Sequence, residues 1–299
     1  MSAVLEKNLT AAGAGHAPPP QRKAKNHETP GILTYSILIA FFLVSAFPLW
    51  WSFVIASRQS SDVNLVPPAI LPGPNFFDNI TKVFTTVPFV QALINSIIIA
   101  GAITISVVFF STLAGYSFAK LRFRASNGLL LAVIATMAIP TQLGIIPLFM
   151  LMAEWEWVGT LQAVIVPGLV TAFGVFFMRQ YLVDVIPDEL IEAARVDGAS
   201  MWGTFWHVAL PAARPAMAVL ALFTFMAAWT DYLWPSLVLG PRNPSVQTAL
   251  ATLSASGGQT PDNSLVLAGA VVSVIPLLIL FFLAGKQLIA GIMQGAVKG

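Results

Sequence analysis

The chain has 299 residues, of which 57% are hydrophobic and 9% charged, against about 25% charged in a soluble domain. That balance places it among polytopic membrane proteins. The absence of cysteine excludes disulfides, iron–sulfur clusters and thiolate zinc sites, and a net charge of +2 says less than where the charges lie.

Residues 1–30 are rich in Ala, Pro and polar groups and carry Arg22, Lys23 and Lys25. They lack the apolar core of a signal peptide and read as a disordered cytoplasmic tail. The basic cluster either fixes topology or meets anionic lipid head groups. Residues 31–299 read as one transmembrane domain. The first span is expected over 32–55, about the 20 apolar residues that cross a bilayer, with Trp50 and Trp51 at the far interface. A connection over 56–90 follows, marked as loop by Pro67-Pro68 and Pro72-Gly73-Pro74. Within it, 78–89 suits a short helix with Ile80, Val83, Phe84 and Val87 on one face.

The second span is expected over 92–118, with Asn95 and Ser96 early and Lys120, Arg122 and Arg124 just beyond. The third, 129–152, contains Pro140, Gln142 and Pro147. Two prolines inside one span remove backbone donors and predict a kink or unwound turn. The fourth covers 161–181. A polar segment, 182–214, separates it from the fifth span, 216–237, which holds Asp231. A Gly/Pro/Ser-rich loop over 240–263 leads to the sixth span, 265–283.

Six spans put both termini on one side. That side would carry Lys7, Arg22, Lys23, Lys25, Lys120, Arg122, Arg124, Arg179, Arg195, Arg214, Lys286 and Lys298, and the other Arg58, Lys82 and Arg242. The bias predicts an N-in/C-in topology with 182–214 in the cytoplasm.

That segment reads as two short helices about a glycine. Asp188, after Pro187, opens the first, where acids favour the positive helix end. Leu190, Ile191 and Ala194 share one side, and Glu192 and Arg195 are spaced to pair on the other. Gly198 suits the residue beyond the helix end, where φ is positive. Trp202, Phe205, Trp206 and Ala209 then form an apolar stripe, with Pro211 expected to end the second helix and Pro215 to start the fifth span. An amphipathic membrane anchor is the alternative reading. The first helix is poor in the Lys and Arg that such anchors carry, so an acidic, slim surface facing a protein partner fits better.

No catalytic or metal residues stand out. The Gly285-Lys286 pair is followed by Gln287, so there is no P-loop, and His16, His27 and His207 lack metal-ligand spacing. Asp231 lies about 22 Å along the fifth span from Ala216, towards the outer face. Two readings stay open for it: a hydrated interfacial acid beside Trp229, Tyr232 and Trp234, or part of a solute path. Gln142 and Asn95 are polar groups within spans, suited to interhelical hydrogen bonds or to solute contact.

Glu192-Ala193-Ala194, Asp197-Gly198-Ala199, Leu210-Pro211 and Pro215 resemble the EAA loop of permease subunits in bacterial ABC importers. Pro140-Thr141-Gln142 with Ile146-Pro147-Leu148-Phe149, Trp229-Thr230-Asp231-Tyr232-Leu233-Trp234-Pro235, and the ending Gly295-Ala296-Val297-Lys298-Gly299 are similar to carbohydrate importers of the maltose type, second permease subunit. The resemblance covers 32–299. It implies an all-α polytopic fold of six transmembrane helices, the type I ABC importer permease fold, in a bacterial cell membrane. It also implies that Glu192, Ala193, Ala194, Asp197, Gly198 and Pro211 shape a cytoplasmic coupling helix docked on an ATPase dimer, which binds ATP and Mg in place of any cofactor on this chain. A second permease subunit, an extracytoplasmic solute-binding protein, membrane lipid and a di- or oligosaccharide complete the expected partners, with no nucleic acid. Asp231, Trp229, Tyr232, Gln142 and Asn95 are the candidates for the solute path. A sugar alcohol or glycerol phosphate permease is the alternative. A stand-alone secondary transporter would want midplane coupling acids and internal repeats, neither of which is clear here.

Overall fold

The computed structural model describes residues 31–64, 66–258 and 261–296. The tail over 1–30 and the final Val297–Gly299 lie outside the described residues. Among those described, the regular structure is helical, without strands. Five helices are long and apolar enough to cross a membrane, and a bent pair makes a sixth when counted as one span. Residues 1–48 and 49–299 form two units. The first helix, α1 (Ile32–Ala56), has Pro48 inside it.

In the second unit, the connection after α1 is fixed by side chains bonding to backbone. Asn79 Nδ2 donates to the Ala56 and Arg58 carbonyls, both at 2.9 Å, and the Arg58 guanidinium donates twice to the Leu71 carbonyl. The expected short helix is α2 (Phe76–Thr86), with Val83 and Val87 buried and Phe84 at the surface.

The second span is α3 (Phe89–Lys120), an unbroken helix of 32 residues. The third is cut in two, α4 (Ser126–Thr136) and α5 (Ile145–Glu154), which with a short turn at 141–144 meet at 87°. Pro140 begins the turn at the break, while Pro147 sits within α5, so the kink predicted from two prolines rests on the first. The fourth span is also interrupted, contrary to the continuous helix expected. It runs as α6 (Gln162–Ile165), a 3-10 turn over Val166–Gly168, then α7 (Ala172–Val185). Pro167 accounts for the interruption, and Thr171 restarts the helix by accepting the Gly174 N–H at 3.1 Å.

After α8 (Asp188–Val196) comes α9 (Met201–Thr204), which passes without a stop into α10 (Leu210–Thr230). Pro211 therefore does not end the second short helix, and Pro215 lies inside α10. The reason is a π turn over Phe205–Ala209, in which the Leu210 N–H reaches back five residues to the Phe205 carbonyl. The ladder is already re-registered where Pro211 offers no N–H. The fifth span ends at Thr230, seven residues short of the expected limit at 237, and α11 (Leu233–Val238) follows. The region expected as loop holds α12 (Val246–Ser256), started by Ser245 accepting the Thr248 N–H. The sixth span continues as α13 (Asn263–Ala296).

Two buried clusters hold these helices. One gathers Ile99, Ile103 and Val107 of α3 with Met178, Leu182, Ile191, Phe205 and Leu220. The other packs Phe89 and Ala92 against Trp229, Val246, Leu253 and Ala268. The first ties the polar segment to the spans; the second holds α12 in place.

Candidate functional site

The polar segment is built as a helix, an elbow and a second helix. Asp188 and Glu189 occupy the first turn of α8 and Arg195 the last, charges that complement the helix dipole. The Ala199 N–H donates to the Ala194 carbonyl and the Gly198 N–H to the Arg195 carbonyl, at 2.9 and 3.0 Å. This double closure needs a left-handed residue at its centre, and Gly198 supplies it with φ of +81°. Ser200 then accepts the Gly203 N–H at 3.1 Å and starts the second helix.

Ile191 is buried against the spans, while Glu192, Ala193, Asp197 and Gly198 are exposed and Ala194 is half-buried. The segment is thus anchored through Ile191 and open elsewhere, and Leu190, which shares its side in the sequence reading, is exposed. Glu192 and Arg195 form no ion pair, contrary to their spacing. The ion pair of α8 is instead Asp188 with Lys120, at 2.8 Å. The Lys120 hydrogen bond and charge, with a smaller push from Arg122, hold the Asp188 carboxyl below its ordinary value of 3.8. Of the expected apolar stripe, Phe205 and Ala209 are buried. Trp202 and Trp206 remain exposed, each ring against Phe205.

A second site lies among the spans. A cavity of about 370 Å³ is lined by Ile99 and Ile103 of α3 and by residues from three helix breaks. Thr141 and Gln142 come from the break in the third span, Pro167 and Gly168 from the fourth, and Asp231, Leu233 and Trp234 from the end of α10 and the start of α11. An adjoining hollow of about 660 Å³ shares Ile103, Thr141, Gly168, Ala228 and Asp231 with it. Non-helical backbone is tolerated at membrane depth only where protein buries it or it lines a cavity, and here three such interruptions share one. They are held by specific bonds. Ser106 Oγ donates to the Leu169 carbonyl and Trp234 Nε1 to the Ala163 carbonyl, each at 2.9 Å. Asp231 follows the last residue of α10 with an extended ψ of 123°, and Tyr232 leads into α11 without a side-chain cap.

The five solute-path candidates part company. Asp231 and Gln142 meet at the cavity. Tyr232 faces a separate hollow with Ser236, Pro244 and Thr252. Trp229 is buried, stacked on Phe225, and donates through Nε1 to the Ser273 carbonyl. Asn95 is buried with its amide occupied, taking a bond from Gln91 and giving one to Pro244. Packing therefore keeps Trp229 and Asn95 out of this cavity. The sequence reading placed Trp234 beside Asp231 without making it a solute-path candidate, and it missed Pro167 and Gly168. A Pro-Gly pair in mid-span was the available signal, and it marks a break as Pro140 does.

The model for the family described as binding-protein-dependent transport system inner membrane component matches residues 107–293. The arabinooligosaccharides transport system permease protein AraQ of Halalkalibacterium halodurans is 33% identical over 279 residues, covering 91% of this chain and 99% of that protein. The lactose transport system permease protein LacG of Rhizobium radiobacter is 31% identical, covering 90% and 97%. The sn-glycerol-3-phosphate transport system permease protein UgpE of Yersinia pestis is 31% identical, covering 88% and 96%. The fold matches a chain from the crystal structure of a bacterial ABC transporter involved in the import of the acidic polysaccharide alginate, with a TM-score of 0.72 and 23% identity over 86% of this chain and 95% of that one. The likeness spans almost the whole of each relative and takes in both the elbow at Gly198 and the three breaks, and this chain accordingly belongs to the family of inner membrane components of binding-protein-dependent transport systems, as a multi-pass permease.

Proposed function

We propose that the chain is one of two permease subunits of an ATP-driven importer and passes a neutral di- or oligosaccharide from an external binding protein to the cytoplasm. The observation that carries this reading is the meeting of two interrupted spans and the end of the fifth on one cavity, together with the exposed α8 elbow. Broken helices have separate halves that tilt independently, which suits a passage opening to one side at a time. Trp234 offers a face for a sugar ring, and Thr141, Gln142 and Asp231 offer groups for hydroxyls. Among the described residues no Lys or Arg lines this cavity, so a phosphate-bearing solute would draw its cation from the second permease.

The termini and the α8 elbow lie in the cytoplasm on this reading, as the Lys and Arg distribution supports. The exposed Glu192, Ala193, Asp197 and Gly198 form the face that meets an ATPase dimer carrying ATP and Mg. Purification of the tagged chain from its native membrane, followed by reconstitution in liposomes, tests the proposal. Labelled disaccharide should enter only with ATP inside and the loaded binding protein outside. Transport by this chain alone, without an ATPase, overturns it.

A further inference from the structure

Lys120 ends α3, and its side chain is 5% exposed, yet its Nζ lies 2.8 Å from Asp188 Oδ1, whose side chain is 72% exposed. The two are 68 positions apart. An ammonium taken almost wholly out of water is costly to leave without its partner, so the contact resists separation while α8 is pushed. Two further contacts bind the same end of α3. A Cβ at Gly115 would lie 2.8 Å from both the Arg179 N and the Met178 Cβ, so α3 and α7 touch nearly backbone to backbone. One residue on, the buried Tyr116 ring meets Phe205 at 5.7 Å. The foot of α3 is thus fastened to the helix before the elbow, to the elbow helix itself and to the helix after it.

Unlike the third and fourth spans, α3 has no break. From Lys120 to Ile103 it runs seventeen residues, about 25 Å at 1.5 Å per residue, and Ile103 and Ile99 form one wall of the cavity.

We propose that Lys120 and Asp188 are positioning residues that lock the elbow helix to the second span, so that a push on α8 reaches Ile103 and Ile99 through one stiff rod. The inference rests on the reading of α8 as the ATPase contact. Because Lys120 is shielded from the surface, it acts through Asp188 rather than by touching the partner.

The test uses the full complex in liposomes, with Lys120→Met, Asp188→Asn, the double variant and Lys120→Arg. The readouts are solute transported per ATP hydrolysed and ATPase retained on purification. Each single neutral variant should keep its ATPase and cut transport per ATP by about fivefold or more, the lower end of coupling between distant sites. The double variant should lose no more than either single one, and Lys120→Arg should restore most of the ratio. Wild-type coupling in Asp188→Asn overturns the proposal, as do losses that multiply in the double variant. A wild-type complex that contains no ATPase would instead sink the underlying reading.

Discussion

Asn95 Nδ2 donates to the Pro244 carbonyl at 2.9 Å, and the neighbouring Ser96 Oγ accepts the Val246 N–H at 2.8 Å. Two adjacent side chains at the start of α3 thus satisfy both backbone groups that lead into α12, 149 and 150 residues away. Asn95→Ala would strand a buried carbonyl, at a cost of about 1–3 kcal/mol. Thermal unfolding of the purified complex should shift down, while the range of solutes accepted stays as in the wild type. A changed solute range at unaltered stability would return Asn95 to the solute path.

At the elbow, Gly198 has φ of +81° and open space where a Cβ would project. Gly198→Ala meets no neighbour, so its effect is backbone strain alone, roughly 1–2 kcal/mol. Gly198→Asn should be milder, because Asn tolerates the left-handed region better. ATPase retained on purification should fall in the order Gly, Asn, Ala. Equal retention in all three would show that the elbow's curvature is not what the partner reads.

Asp231 lines the cavity at the end of α10. Asp231→Asn keeps polar groups for a solute hydroxyl on the cavity wall, whereas Asp231→Ala leaves none. Uptake should remain near wild type in the Asn variant and fall several-fold in the Ala variant. Equal loss in both would mean that the charge itself serves the solute.

Asp188 titrates below its ordinary value of 3.8 because of its hydrogen bond to Lys120. A depressed carboxylate contributes stability that is present above the unfolded value and lost as pH falls through the lower folded value. Transport per ATP should therefore stay flat from about pH 6 to 8, well above any carboxylate titration. A decline across that range that is absent in Asp188→Asn would show the pair loosening at neutral pH.

Periodicity and charge made much of this molecule legible. The spans are long apolar runs whose existence depends on local composition, and the Gly198 elbow follows from a glycine placed one residue beyond a helix end. Pro140 announced its break for the same local reason. Errors gathered where two distant segments meet. Glu192 and Arg195 have the right spacing to pair, but Lys120 arrives from α3 and Asp188 takes it. Pro211 looked like a stop signal, yet a π turn carries the helix past it. The 240–263 stretch looked like loop because Gly, Pro and Ser dominate its composition; α12 is stabilised there by Asn95, Ser96 and burial of Val246, Ala249 and Leu253.

The sequence by itself determined a polytopic α-helical membrane protein with an acidic elbow between its fourth and fifth spans, because hydrophobicity, proline and glycine act on the chain locally. Only the tertiary structure decided that two broken spans and the end of a third share one cavity, that Asp231 and Gln142 meet there without Trp229 or Asn95, and that Lys120 pairs with Asp188 of the elbow helix. Those outcomes depend on which faces of separate helices pack together, a choice made by shape and desolvation between residues far apart in the chain.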